Sequence, residues 1–277
     1  MSDYLLYNGK FYKSSDPLVT ADNRGLRYGD GLFETFKFSG GSIHLQEGHF
    51  ERLFNGLQLL QFDCPVHFTP GKLASQVAAL CAKNGHARAR IRITIFRGSG
   101  GLYDPEDHFP HCIIQSWPLS DEGFPLNENG LVAGIYTVAK KRMDAFSNLK
   151  SNNYLPYAMA ALHAKKQQWN EAFLLNTAER VCDATIANIF IIKNDCIYTC
   201  LLSEGCVDGI MRRFLLAQLQ QQGFNVQEKA ITVEDLYTAD EVFLSNSIRG
   251  IRWVRTTGPA TYTNQLTLQI HRQLFKK

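Results

Sequence analysis

Apolar and polar residues alternate at the start of the chain, so residues 4–8, 31–38 and 42–44 read as strands with Gly40-Gly41 as a turn. The period then lengthens. Phe50, Leu53, Phe54, Leu57 and Leu60 recur at helical spacing and form one apolar stripe. A second helix is expected over about 73–83, with Pro70 near its start. Residues 88–96 alternate sharply, Ala89, Ile91, Ile93 and Ile95 on one face and Arg88, Arg90, Arg92 and Thr94 on the other. That is the pattern of a half-buried strand with a solvated face. Residues 111–117 predict another strand.

Residues 118–130 are polar and rich in turn formers, which marks a linker. Beyond it, 131–139, 173–175, 186–192, 197–199 and 242–245 read as strands. Helices are predicted over 156–169, with Pro156 in the first turn, over 210–222 between Asp208-Gly209 and Gly223, and over 266–274. Strands and helices mix without strict alternation and without an internal repeat. The expected fold is α/β with α+β character in two lobes: an N-terminal α/β domain over 1–118, a linker over 119–130 and a C-terminal domain over 131–277.

Composition narrows the function more than the fold. At 277 residues, 45% hydrophobic and 20% charged, the chain is neither disordered nor fibrous. The net charge of +3 comes from scattered lysines and arginines, which argues against a nucleic-acid face and leaves small anions as ligands. No apolar run approaches the roughly 18 residues of a membrane span, and the N-terminus lacks the shape of an export signal. Seven unevenly spread cysteines fit reduced thiols and a cytoplasmic location. Cys196, Cys200 and Cys206 have no nearby histidine and lie among strand residues, so they read as packed thiols rather than metal ligands.

Four stretches could carry chemistry. Arg97-Gly98-Ser99-Gly100-Gly101 follows a strand, but Leu102-Tyr103-Asp104-Pro105 continues as a turn where a phosphate loop should open into a helix. Asp30 and Glu34 could divide acid and base roles, or Asp30 could bond amides of a turn set by Gly29 and Gly31. Lys150, within Asn148-Leu149-Lys150-Ser151-Asn152-Asn153-Tyr154, is either a solvated loop lysine or a nucleophile among neutral polar groups. Asp183, within 180–188, and the helix start at Gly209-Ile210-Met211-Arg212 complete the set; free amides at a helix start suit a phosphate.

Together and in this order, these segments resemble the class IV aminotransferases, the fold-type IV pyridoxal-phosphate enzymes. Residues 28–34, Glu51-Arg52-Leu53, Lys150, Asp183 to Asn188-Ile189-Phe190, and 209–212 carry the likeness over nearly the whole chain. The resemblance implies pyridoxal 5'-phosphate as cofactor, joined to Lys150 as a Schiff base, with the lysine then shuttling a proton. It assigns Asp183, where relatives carry glutamate, to the pyridine nitrogen, whose protonation makes the ring an electron sink. Phosphate falls to Arg52, to the amides of Ile210 and Met211, and to Ser247 or Ile248. Tyr154 is implied at the ring oxygen, one residue closer to the lysine than in branched-chain enzymes. Phe33, Arg97 and Arg249 are the substrate residues, with Arg252 a further candidate. By the helical period Arg52 lies roughly opposite the apolar stripe of its helix, outside the core.

The family contains aminotransferases acting on branched-chain or D-amino acids and an aminodeoxychorismate lyase that releases pyruvate and 4-aminobenzoate. Glu34 after Gly-Asp-Gly-Leu-Phe leans toward transamination, and Ile210-Met211-Arg212 with 239–246 leans toward the lyase. The expectation is an aminotransferase passing the amino group of an amino acid to a 2-oxo acid, with the lyase as the alternative and a non-catalytic cofactor carrier disfavoured. A homodimer is implied by resemblance.

Overall fold

The computed structural model describes residues 3–120 and 123–275. The chain divides into two compact units, one of residues 1–120 with Leu149–Asn153, the other of residues 121–148 and 154–277. Of the predicted boundaries, residues 1, 2, 121, 122, 276 and 277 lie outside the described residues. The division is not a single cut at a linker, because the five residues around Lys150 belong with the first unit.

The first unit holds β1 (Tyr4–Tyr7), β2 (Lys10–Lys13), α1 (Arg24–Tyr28), β3 (Gly31–Ser39), β4 (Ser42–Ile43), α2 (Gln46–Leu59), α3 (Pro70–Lys83), β5 (Arg88–Arg97) and β6 (Pro110–Pro118). Its strands form an antiparallel sheet of order β2-β1-β6-β5-β3-β4. Ile91, Ile93 and Ile95 are fully buried against Phe50, Leu53, Leu57, Leu73, Val77 and Leu80 of the two long helices. Each such isoleucine contributes about 1.5–3 kcal/mol by leaving water. Thr69 caps α3 by accepting from the Lys72 amide, and Pro70 occupies the first turn, where its missing N–H is harmless.

The second unit holds β7 (Leu131–Lys141), α4 (Leu155–Lys166), β8 (Glu171–Asn176), β9 (Val181–Ala184), β10 (Asn188–Lys193), β11 (Cys196–Cys200), α5 (Ile210–Gln221), β12 (Val226–Lys229), α6 (Val233–Tyr237), β13 (Glu241–Asn246), β14 (Gly250–Thr257), β15 (Ala260–Thr261) and α7 (Gln265–Phe275). Its sheet is mixed, running β12-β11-β10-β13-β14-β7-β8-β9 with β15 paired to β14, and its β11–β12, β14–β7 and β7–β8 pairs are parallel. The predicted strand over 186–192 starts at Asn188, after a tight turn from β9 in which the Ala184 amide donates to the Ala187 carbonyl. The pattern predicts no strand over Gly250–Thr257, yet β14 joins the two halves of this sheet. Its four polar side chains, Arg252, Arg255, Thr256 and Thr257, and the three-residue spacing of buried Ile251 and Val254 break the period-two signal of a strand.

Residues 123–130 belong to the second unit, where the Asn127 side chain donates to the Trp253 carbonyl at 3.0 Å and accepts from the Trp253 amide at 3.0 Å. The Trp253 indole N–H donates to the Asn127 carbonyl at 2.7 Å. This polar stretch bonds β14 rather than spanning solvent. Among the described residues no helix is long and apolar enough to cross a membrane.

Candidate active site

Lys150 is held at the edge of the first unit's sheet. Strand β4 covers only the Phe38–Ser39 end of β3, and residues 149–153 lie along the other end. The Phe33 amide donates to the Lys150 carbonyl and the Asn152 amide to the Gly31 carbonyl, both at 2.9 Å, while Asn152 Nδ2 donates to the Ile95 carbonyl at 3.0 Å. Gly31 is required by this approach, since a Cβ there would stand 2.0 Å from the Ile95 carbonyl oxygen and 2.7 Å from Asn152 Nδ2. The backbone of Lys150 is thereby fixed, and its Nζ lies 4.4 Å above the Phe33 ring. The Arg92 guanidinium packs over the same ring at 3.9 Å. A cation over an aromatic face is attracted by the ring quadrupole.

On the opposite, helix-covered side of β3, Glu34 stands among core residues at 1% exposure. Arg52 grips it with two parallel bonds, Nε to Oε1 and Nη2 to Oε2, each 2.7 Å, and His49 Nδ1 donates to Oε2 at 2.7 Å. Burial alone would raise the Glu34 carboxyl, but Arg52 and His49 together hold it down to about 2. Burial keeps His49 below its ordinary value despite the carboxylate, so the ring is a neutral donor from Nδ1. Arg52 is therefore a buried member of its helix's inner face, contrary to the expectation from the stripe. A buried carboxylate across the interface draws a guanidinium inward, and apolar periodicity carries no trace of that.

Arg97 is likewise engaged within the first unit. Its Nε donates to Asp30 at 3.1 Å, Nη2 to the Leu60 carbonyl at 2.5 Å and Nη1 to the Gln61 carbonyl at 3.2 Å, with the guanidinium 4.1 Å over Phe62. These donors serve the fold. Asp30 accepts from Arg24 as well, so Asp30 and Glu34 belong to separate ion clusters rather than an acid–base pair. Arg24 Nη1 also bonds the carbonyls of Gly100, Gly101 and Leu102. That loop turns carbonyls, not amides, toward a charged group, the wrong polarity for a phosphate.

In the second unit Asp183 of β9 is buried at 1% exposure. Its Oδ2 accepts from Lys141 Nζ (2.8 Å), the Tyr157 hydroxyl (2.8 Å) and the Val207 amide (2.9 Å), and its Oδ1 from Asn188 Nδ2 (3.0 Å). Burial disfavours the Lys141 ammonium, but the Asp183 carboxylate outweighs it and the lysine titrates above its ordinary value. Burial and the same carboxylate push the Tyr157 phenol well up, so it remains a donor. Tyr154, placed at the ring oxygen by resemblance, precedes α4, and its carbonyl accepts from Tyr157 and Ala158. Tyr157, one turn on, is the tyrosine that reaches the buried acid.

Helix α5 begins at Gly209 with no side-chain cap and no acidic residue in its first turn, so the amides of Ile210 and Met211 open a positive helix end. Gly209 is forced by close approach, because a Cβ there would meet Asn188 Oδ1 at 1.9 Å. Asn188 thus links this helix start to Asp183, its Nδ2 also donating to the Val207 carbonyl at 2.8 Å. In the 246–249 turn the Ile248 amide donates to Asn246 Oδ1 at 3.0 Å. Ser247 is half-buried there and Arg249 is exposed. Ser245 Oγ, on the strand position paired with Asn188, is buried without a hydrogen-bond partner.

The profile of the family Amino-transferase class IV matches residues 31–256. The chain belongs to the class IV aminotransferases. A Methanocaldococcus jannaschii protein provisionally named a branched-chain-amino-acid aminotransferase is 30% identical over 273 residues, 98% of this chain and 93% of the relative. An aminodeoxychorismate lyase of Bacillus subtilis is 29% identical over 243 residues, 87% of this chain and 82% of that protein. The branched-chain aminotransferase of Escherichia coli matches in structure with a TM-score of 0.88 at 23% identity, over 98% of this chain and 92% of that one, which fixes the fold. This class IV chain is an enzyme of the fold-type IV, two-domain α/β architecture.

Three residues that contact Phe33 or Asp183 escaped the sequence. Lys141 lies past the predicted end of β7, in a cluster read only as scattered charge. Arg92 sat on a strand face read as solvated, and Tyr157 inside a helix carried no signal. The residues present fit pyridoxal 5'-phosphate: an uncapped glycine-led helix end for an anion, an orphaned buried hydroxyl at Ser245, a carboxylate with acceptor capacity left on Oδ1, and a lysine fixed by its backbone.

Proposed function

We propose that this class IV enzyme is a pyridoxal-5'-phosphate-dependent aminotransferase that moves the amino group of an amino acid to a 2-oxo acid. The single observation that carries the reading is the Lys150 amine set over Phe33 with the Arg92 guanidinium on the same ring. When bound, the cofactor supplies an electron sink that weakens the bonds at an amino acid's α carbon.

The chain's own residues do the rest. Lys150 contributes the amine that holds the cofactor's aldehyde carbon and, once displaced, carries a proton to and from the α carbon. Asp183 accepts from the protonated ring nitrogen through Oδ1, the oxygen with one donor rather than three. The amides of Ile210 and Met211 and the Ser247 region receive the phosphate, and Asn188 holds that helix start against Asp183. Arg52 acts on this site through Glu34 in the proposed arrangement, fixing β3 from behind rather than standing as an open ligand. Arg92, instead of Arg97, pairs with a substrate carboxylate, its planar donors suiting a bidentate grip. Arg249 keeps a role at the rim of the turn that carries Ser247. A homodimer in the reducing cytoplasm accompanies this reading, supported by seven unpaired cysteines, six of them buried.

Aminodeoxychorismate elimination is the second reading, favoured by Ile210-Met211-Arg212 and by the Bacillus subtilis relative. Single turnovers with L- and D-amino acids beside aminodeoxychorismate separate the two. Conversion of the cofactor to its aminated form by an amino acid supports transamination; pyruvate release without that conversion replaces it with the lyase.

A further inference from the structure

Lys141 ends β7 where the strand's pairing with β8 breaks after Tyr136 and resumes at Lys141, a shift that turns this side chain inward. Its buried ammonium has three acceptors: Asp183 Oδ2 at 2.8 Å, the Gly205 carbonyl at 2.5 Å and the Ser147 carbonyl at 3.4 Å. Ser147 lies three residues before Lys150, and Gly205 four residues before Gly209, where α5 begins. Asn148 reinforces the tie, its Nδ2 donating to the carbonyls of Leu202 (2.8 Å) and Cys206 (2.6 Å) while its carbonyl accepts from the Asp208 amide (3.1 Å).

We propose that Lys141 is a positioning residue that keeps Asp183 a charged acceptor with only Oδ1 open, and that ties to it the Ser147 carbonyl and the Gly205 carbonyl ahead of α5. A carboxylate offers about four lone-pair sites. Lys141, Tyr157 and the Val207 amide crowd Oδ2, and Asn188 takes one site of Oδ1, so a ring N–H meets a single aimed oxygen. Without the ammonium, a carboxylate this deep takes up a proton rather than remain an uncompensated charge. It then presents an acid proton where an acceptor is needed. This inference rests on the proposed cofactor role of Asp183.

The test compares pyridoxal-phosphate binding to wild-type, Lys141→Met and Lys141→Arg apoprotein by titration calorimetry in buffers of different ionisation enthalpy. Lys141→Met raises the dissociation constant about tenfold or more, the scale of one lost charge-assisted bond. It also takes up about one proton fewer on binding than wild type, because its cofactor-free carboxyl already holds one. Lys141→Arg keeps the charge and the wild-type proton count. A methionine variant with weaker binding but an unchanged proton count makes Lys141 a mere spacer and overturns the proposal, as does unchanged affinity. Should the methionine variant fail to fold, the arginine variant decides alone: wild-type proton count and affinity uphold the proposal, a changed count refutes it. Borohydride treatment of the wild type is the separate control. If it fixes no cofactor on Lys150, the functional reading has failed and this inference falls with it.

Discussion

Glu34 and Asp183 are both carboxylates buried at 1% exposure, each paired with a cation and a second donor, yet they are built for different ends. Glu34 is forked: Arg52 takes both oxygens in one bidentate grip and His49 adds a second bond to Oε2, on the core face of β3. Asp183 is lopsided, with three donors on Oδ2 and one on Oδ1. A buried carboxylate forked by one guanidinium ties a helix to a strand, whereas one with its donors gathered on a single oxygen leaves the other aimed in one direction. The first holds the strand that carries Phe33 and abuts Lys150; the second is the acid that the proposed function assigns to the cofactor ring.

The contrast breaks if the two acids respond alike. Asp183→Asn keeps the shape but removes the charge facing the ring nitrogen, and turnover is expected to fall about 10²- to 10³-fold, as for loss of a preorganised electrostatic contact. Steady-state kinetics at saturating cofactor check this. Glu34→Gln acts on stability instead, lowering it by about 3 kcal/mol because Arg52 is left buried without its charge partner. Denaturant melts report that loss, with turnover of the folded fraction changed far less. The Glu34 carboxyl is depressed in the fold to about 2 from an ordinary 4.5, so its contribution is fully present above about pH 5. It declines as pH falls toward 2, where the folded carboxyl also protonates. Acid melts of wild type steepen through that window, and the Gln variant lacks this component.

Much of this contrast could be read from the sequence, but unevenly. The isoleucines of β5 and the helical stripe of α2 were visible because apolar burial repeats with the period of the element. Lys150, Asp183 and the Gly209 helix start were visible because resemblance supplied their order. Arg52 was misplaced because an ion pair, not periodicity, draws it into the core. Lys141 was invisible because a strand irregularity, unmarked by any glycine or proline, turns it inward. The partners of Arg97 were illegible because an arginine beside a glycine-rich loop looks the same whether it meets a substrate or the Leu60 and Gln61 carbonyls that it bonds.

Two smaller effects sharpen the comparison. Arg92→Gln is expected to raise KM for a carboxylate substrate about tenfold with little loss of stability, while Arg97→Gln lowers stability first, since it strips buried carbonyls of their donor. Paired kinetics and melts separate them. Gly209→Ala pushes Asn188 away from the start of α5 and costs about 1 kcal/mol or more in thermal unfolding, with weaker pyridoxal-phosphate binding measured by dialysis.

The central claim concerns the amine at Lys150. Borohydride reduction of the protein saturated with pyridoxal 5'-phosphate, followed by peptide mass mapping, is expected to leave the cofactor-derived mass on the peptide containing Lys150 and to abolish the visible absorption band. The same mass on a peptide lacking Lys150, or on none, contradicts the account.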